Sequence, residues 1–169
     1  MESLAFCEDF KVMDTTRIHL FITHLPVFGI FLGLLVLVFG LIRKVSQVKI
    51  VSYAIIVISI VGGIVAFQTG EAAEHAVESI AGLSENAIEK HEESAELTVW
   101  FIYSLGLLSL FAMYFEVKGK ALAKQFSYIV LVVSIVTFYF VASTASLGGK
   151  IRHSEIGKEQ PGQKDMHDE

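Results

Sequence analysis

The stretch IVSYAIIVISIVGGIVAFQTG runs from Ile50 to Gly70 without a single charged side chain. At ~1.5 Å of rise per residue, a helix of this length crosses the ~30 Å hydrocarbon core of a bilayer. Three more uncharged stretches flank it: Ile18–Ile42, Leu97–Phe115 and Gln125–Gly149. The Leu97–Phe115 stretch is only just long enough. Four such runs joined by short polar segments predict an all-α fold, an integral membrane four-helix bundle of up-down topology.

Composition agrees. The chain has 169 residues, of which 53% are hydrophobic and 18% charged, with a mean hydropathy of +0.60. That is too apolar for an ordinary soluble domain of this size. The charges lie almost wholly between and outside the spans, and residues 1–156 read as one transmembrane domain followed by a disordered polar tail, 157–169. Cys7 is the only cysteine, which excludes a disulfide framework or a thiolate cluster within one chain. Met1–Arg17 is net acidic and the apolar run after it is long, unlike a cleavable signal peptide.

The short loops predict sidedness. Arg43–Lys49 carries Arg43, Lys44 and Lys49 with no acid, and Glu116–Lys124 carries Lys118, Lys120 and Lys124 against Glu116 alone. Basic short loops face the cytoplasm. The expected location is therefore a bacterial cytoplasmic (inner) membrane, multi-pass, with both termini extracytoplasmic. Lys150 and Arg152 on the outer side weigh the other way.

Between spans two and three, Glu71–Glu96 holds eight glutamates and one lysine, and no proline. A solvated acidic loop is the plain reading. Yet Gln68, Glu71, His75 and Glu78 fall on one helical face, Gly82 is a break, and Ser84 is a suitable N-cap for the next helix. These features predict an extended extracytoplasmic helical hairpin between helices 2 and 3.

Five of the six histidines cluster at that same end: His19 and His24 open the first span, His75 follows the second, His91 precedes the third and His153 follows the fourth. Counted from the basic residues of the far end, His19, His75, His91 and His153 agree in height to roughly 8 Å, if the last helix survives Gly148–Gly149. His24 falls roughly 7 Å deeper. Each histidine also has a plain structural reading, as an interfacial or solvated residue or, for His24, as one bonded to a neighbouring carbonyl. His167, in the tail, has no assigned role. Pro26 either kinks its helix or is simply tolerated. Gly29 and Gly33 form a small-xxx-small pair, and Gly62, Gly63, Gly70 and Gly106 are further small positions; close helix packing is the preferred reading over room for a macrocycle. Ser143, Thr144 and Ser146 offer hydroxyls for bonds across helices or to a bound group.

The opening His19-Leu-Phe-Ile-Thr-His24-Leu-Pro26-Val resembles the HPxxVHFPI motif of a bacterial family of four-helix membrane proteins of unknown function. Thr69-Gly70, His91 and Gly148-Gly149 match further features of that family, so the resemblance covers nearly the whole chain. Leu20 replaces its proline, and His75 and His153 look like features of a subgroup. Relatives of this kind are sometimes joined to Rieske iron–sulfur domains, and the layout is similar to b-type membrane cytochromes; both imply redox work by analogy.

Two function classes then compete. One is electron transfer through a single haem b, held by histidines from two helices, with His19, His24, His75, His91 and His153 as the candidates. His19 with His91 is the first-choice axial pair and His75 with His153 the second, with Arg17, Lys150 and Arg152 for the propionates. The other is a non-haem iron, copper or zinc site built from His75, His91 and His153 with Glu71 and Glu96, although the Glu-x-x-His repeat of di-iron bundles is absent. A structural or pH-sensing membrane protein without cofactor is a third possibility. Expected partners are the lipid bilayer, a redox protein or quinone, and a second copy of the chain. Without a Gly-rich phosphate loop or a Ser-His-Asp setting, and with an acidic outer face, neither a nucleotide site, a hydrolase nor a nucleic-acid binder is indicated.

Overall fold

A computed structural model of the protein describes residues 22–78 and 85–156, with side chains described over 22–70 and 89–149. Four helices make up the described chain: α1 (His24–Arg43), α2 (Ser46–Glu78), α3 (Glu85–Val117) and α4 (Ala123–Ile156). Each is long and apolar enough to cross a membrane. Helix α1 has 20 residues, whereas α2, α3 and α4 have 33, 33 and 34. At about 50 Å, the three longer helices exceed a ~30 Å hydrocarbon core.

The helices form a closed ring, α1 on α2, α2 on α3, α3 on α4 and α4 back on α1. Two tight turns at the basic end impose the up-down path, and they share one hydrogen-bond pattern. After α1, the Lys44 N–H donates to the Leu41 carbonyl and the Val45 N–H to the Gly40 carbonyl; after α3, Gly119 donates to Glu116 and Lys120 to Phe115. Both are Schellman closures, in which one left-handed residue ends the helix. Gly119 fills that position with φ +60° and Lys44 with φ +55°.

Small residues set how closely the helices approach. A Cβ on Gly29 would overlap the Ser59 hydroxyl, and one on Gly33 would lie 2.6 Å from Ile56 Cγ1, so the small-xxx-small pair of α1 seats directly on α2. Gly62 faces Leu25, Gly63 faces Pro26 and Ile102, and Gly106 faces Ile60. The interior combines Ile30, Leu37, Tyr53, Ile56 and Leu105 with buried hydroxyls, among them Ser52, Ser59, Ser109, Ser127, Ser134 and Thr137. Large apolar side chains such as Phe28, Ile42, Ile58, Trp100 and Val132 point outward. A water-soluble monomer rarely exposes apolar surface on this scale.

Three expectations are revised or resolved here. Helix α1 begins at His24, so Pro26 is its third residue. The first turn has backbone N–H groups with no intrahelical acceptor in any case, and at that position Pro26 costs α1 no hydrogen bond. Helix α2 continues past Gly70 to Glu78, and α4 runs unbroken through Gly148–Gly149 to Ile156. Gly82 and Ser84 lie outside the described residues, as do His19, Arg17 and the tail 157–169.

Candidate functional site

At the histidine-rich end, α3 presents His91, Ser94 and Thr98 to α4. Separations of three and four residues keep them on one helical face. Opposite them stand Thr144 and Gly148, also four apart. The His91 Nδ1 lies 3.1 Å from the Thr144 carbonyl oxygen. A carbonyl only accepts, so Nδ1 carries the proton, and in the neutral ring the lone pair is on Nε2. Gly148 lies under the ring, where a Cβ would come within 3.1 Å of His91 Cε1.

Three hydroxyls close the arrangement. Thr98 donates to the Ser94 carbonyl at 2.7 Å. With that hydrogen committed, Thr144 donates to Thr98 Oγ1 at 2.9 Å and Ser94 donates to Thr144 Oγ1 at 2.7 Å. Every hydroxyl then donates once, and Thr144 is held to α3 through both its side chain and its carbonyl. The imidazole is thus positioned by a satisfied network between two helices.

His91 also lines a cavity of about 90 Å³ reached by all four helices, with Pro26 from α1 and Thr23 just before it, Gly63 and Ala66 from α2, Thr98 and Val99 from α3 and Thr144 and Ala145 from α4. A cavity of about 150 Å³ admits a benzene-sized molecule; this one has room for an ion or a few waters and not for a porphyrin.

The other proposed ligands divide by height. Lys49 pairs with Glu116, Gly63 faces Ile102 and Ile60 faces Gly106. That register, continued outward, brings the backbone position of His75 level with His91. His153 is five residues beyond Gly148 on α4, roughly 7 Å further out. The side chains of Glu71, His75 and His153 lie outside the described residues.

His24 and Glu96 depart from expectation. Pro26 packs on Gly63 and Gly63 on Ile102, which puts the start of α1 roughly 15 Å along the bundle from His91. His24 is exposed there, its ring parallel to Phe28 at 6.2 Å. The sequence places His24 deeper than the other histidines, and it is deeper than His91; it departs in facing outward instead of into the bundle. Glu96 is exposed, because five residues turn it about 140° from His91. Among the described residues, no three His, Cys, Asp or Glu side chains converge on one point.

Ser94 and Thr98 were not singled out from the sequence. Their signal was the polar i, i+3, i+7 stripe that they form with His91, facing a hydroxyl and a glycine four apart on α4.

A second polar cluster occupies the basic end. Lys49 Nζ lies 2.6 Å from Glu116 Oε1, their side chains only 14% and 7% exposed. The Ser46 hydroxyl donates to the same oxygen, and Tyr53 OH lies 2.8 Å from Ser127 Oγ, linking α2 to α4. Compared with protein-family models, curated proteins and solved structures, the chain matches none.

Proposed function

We infer that this is a multi-span membrane protein whose histidine-rich end binds a redox metal and passes electrons at one face of a bacterial cytoplasmic membrane. One observation carries the reading: the Thr144 carbonyl holds Nδ1–H of His91 beside a cavity bounded by four helices. Metal-ligating histidines characteristically donate their other ring N–H to a carbonyl or carboxylate, which fixes the tautomer and orients the ring. His75 and His153, with Glu71, are the groups whose positions in the chain suit them to complete the ligand set. Glu96 points elsewhere.

The size of the cavity favours a non-haem ion over haem b. Bound there, such an ion would supply one-electron chemistry; the chain's own part is to fix the His91 ring and surround it with apolar wall. Haem b is the second reading, favoured by the small residues that line the cavity or lie beside His91. Gly63, Ala66, Ala95, Ala145 and Gly148 leave a wall that a flat ring could enter by parting the helices. The acidic extensions of α2 and α3, longer than a bilayer core, would stand above the membrane as a docking surface for a redox partner or quinone.

The test is the visible spectrum of the purified protein with metal analysis on the same sample, for the unaltered chain and for His91→Ala. Stoichiometric iron or copper without a Soret band, lost in H91A, is the expected result. A Soret band lost in H91A transfers the role to haem b. Protein carrying neither metal nor haem sinks the redox reading.

A further inference from the structure

Protein interiors leave few voids larger than a water molecule, because the wall of each one forfeits contacts it would otherwise make. The cavity at His91, at about 90 Å³, is well above that size. Small residues keep it open: Gly63 and Ala66 of α2, Ala95 of α3 and Ala145 of α4 all line it, where larger side chains would fill the space.

Its wall is ill suited to water. A buried water makes about two to four hydrogen bonds. The inner part of the wall, formed by Gly63, Ala66, Val99, Ile102 and Val141, presents only aliphatic side chains and glycine. At the outer end the hydrogens of the network are already spent. His91 Nδ1–H goes to the Thr144 carbonyl, the Thr98 hydroxyl to the Ser94 carbonyl and the Thr144 hydroxyl to Thr98. A water at that end could donate to the oxygens, but the network holds no further donor for it to accept from. Thr23 adds a single hydroxyl.

Size narrows the occupant from the other side. An apolar cavity of about 150 Å³ takes benzene or xenon. One of about 90 Å³ is too small for an aromatic ring but large enough for a diatomic gas. Apolar gases leave water for such surroundings for the same reason that apolar side chains do. The wall also reaches the outside, since Ala145 both lines the cavity and is exposed on the surface of the bundle.

We propose that the apolar cavity beside His91 is a binding site for a small diatomic gas of the size and polarity of dioxygen. Occupancy needs no metal. Only the further point, that the gas would there meet a redox ion held by His91, rests on the function proposed above.

Dioxygen is paramagnetic and speeds the relaxation of methyl groups that it approaches, so it serves as its own probe. The full-length protein, treated with a chelator and held in lipid nanodiscs, is compared under nitrogen and under pressurised oxygen. The methyl groups of Val99, Ile102 and Val141 should gain several-fold more relaxation than those of Ile30, Leu37 and Ile56, which are buried elsewhere in the core. Ala66→Leu fills the cavity from the α2 wall and should remove that excess while leaving Ile30 and Leu37 unchanged. Ala145→Leu, at the exposed rim, should do the same and serves where Ala66→Leu disturbs the fold. Equal gains in the two methyl sets of the unaltered chain overturn the proposal, as does an excess that survives both substitutions. Cross-relaxation to Ile102 and Val141 from water, or from lipid acyl chains, overturns it too, because either shows a different occupant. Oxygen found in the cavity of a protein that binds no metal supports this inference and sinks only the redox reading.

Discussion

Gly148 decides how the His91 imidazole sits. An alanine there would bring its methyl within 3.1 Å of Cε1, so the ring must shift by a few tenths of an ångström while its Nδ1–H stays tethered to the Thr144 carbonyl. Changes to groups that orient a ligand commonly cost about 10–100-fold in metal affinity. Gly148→Ala is expected to weaken metal retention to that degree. Gly149→Ala, next along the helix with nothing within 4 Å of the added carbon, should leave it unchanged. Competition with a chelator on both variants measures the difference, and equal retention would disconnect Gly148 from the site. Of this arrangement, His91 was legible in the sequence because a histidine bordering an apolar run stands out. Ser94 and Thr98 were not, since a hydroxyl in an apolar helix normally bonds to its own backbone, and only the opposing helix reveals another use.

At the scale of elements, the uncharged runs located the four helices because the physics of a bilayer core acts on whole segments. Helix α1 is described from His24, with Pro26 in the turn that tolerates it. The two turns at the basic end offer a direct comparison. They have the same hydrogen bonds, but Lys44 occupies the left-handed position that Gly119 fills in the other. A side chain there costs about 1–2 kcal/mol, partly offset by the extra backbone freedom that glycine loses on folding, about 0.5–1 kcal/mol. Lys44→Gly should therefore stabilise the protein by about 0.5–1 kcal/mol and raise its unfolding midpoint by a few degrees. Thermal unfolding in detergent checks this; a lowered midpoint would mean that the Lys44 side chain contributes a contact of its own.

For the molecule as a whole, the ring of four helices and the gathering of histidines at one end followed from reading alternate spans in opposite directions. The outward position of His24 did not follow, because residue counting gives depth only, whereas the face of α1 turned to the bundle is set by which glycine meets which side chain. The basic loops also proved less uniform than their composition: Lys49 spends its charge on Glu116 between α2 and α3. Arg43, Lys44, Lys118, Lys120 and Lys124 remain in or beside those turns, and the proposed orientation places them on the cytoplasmic side. In a Cys7→Ser background, Gln47→Cys at the basic end should resist an impermeant thiol reagent in intact cells, while Glu93→Cys at the histidine end reacts. The reverse pattern would invert the molecule and move the proposed metal centre to the cytoplasmic face.

From Leu25 to Ile42, α1 carries no side chain able to form a hydrogen bond. Helices α2, α3 and α4 are tied to one another by the Lys49–Glu116 pair, the Tyr53–Ser127 bond and the His91–Thr144 network, whereas the body of α1 is seated by shape alone, glycines against Ser59 and Ile56. In a bilayer, acyl chains are as apolar as leucine and compete for that seat on nearly equal terms. The thickness and fluidity of the surrounding lipid therefore bear on this one helix far more than on the other three. Because Pro26 and Thr23 at its start form part of the cavity wall, a surrounding bilayer would reach the interior of the protein through α1.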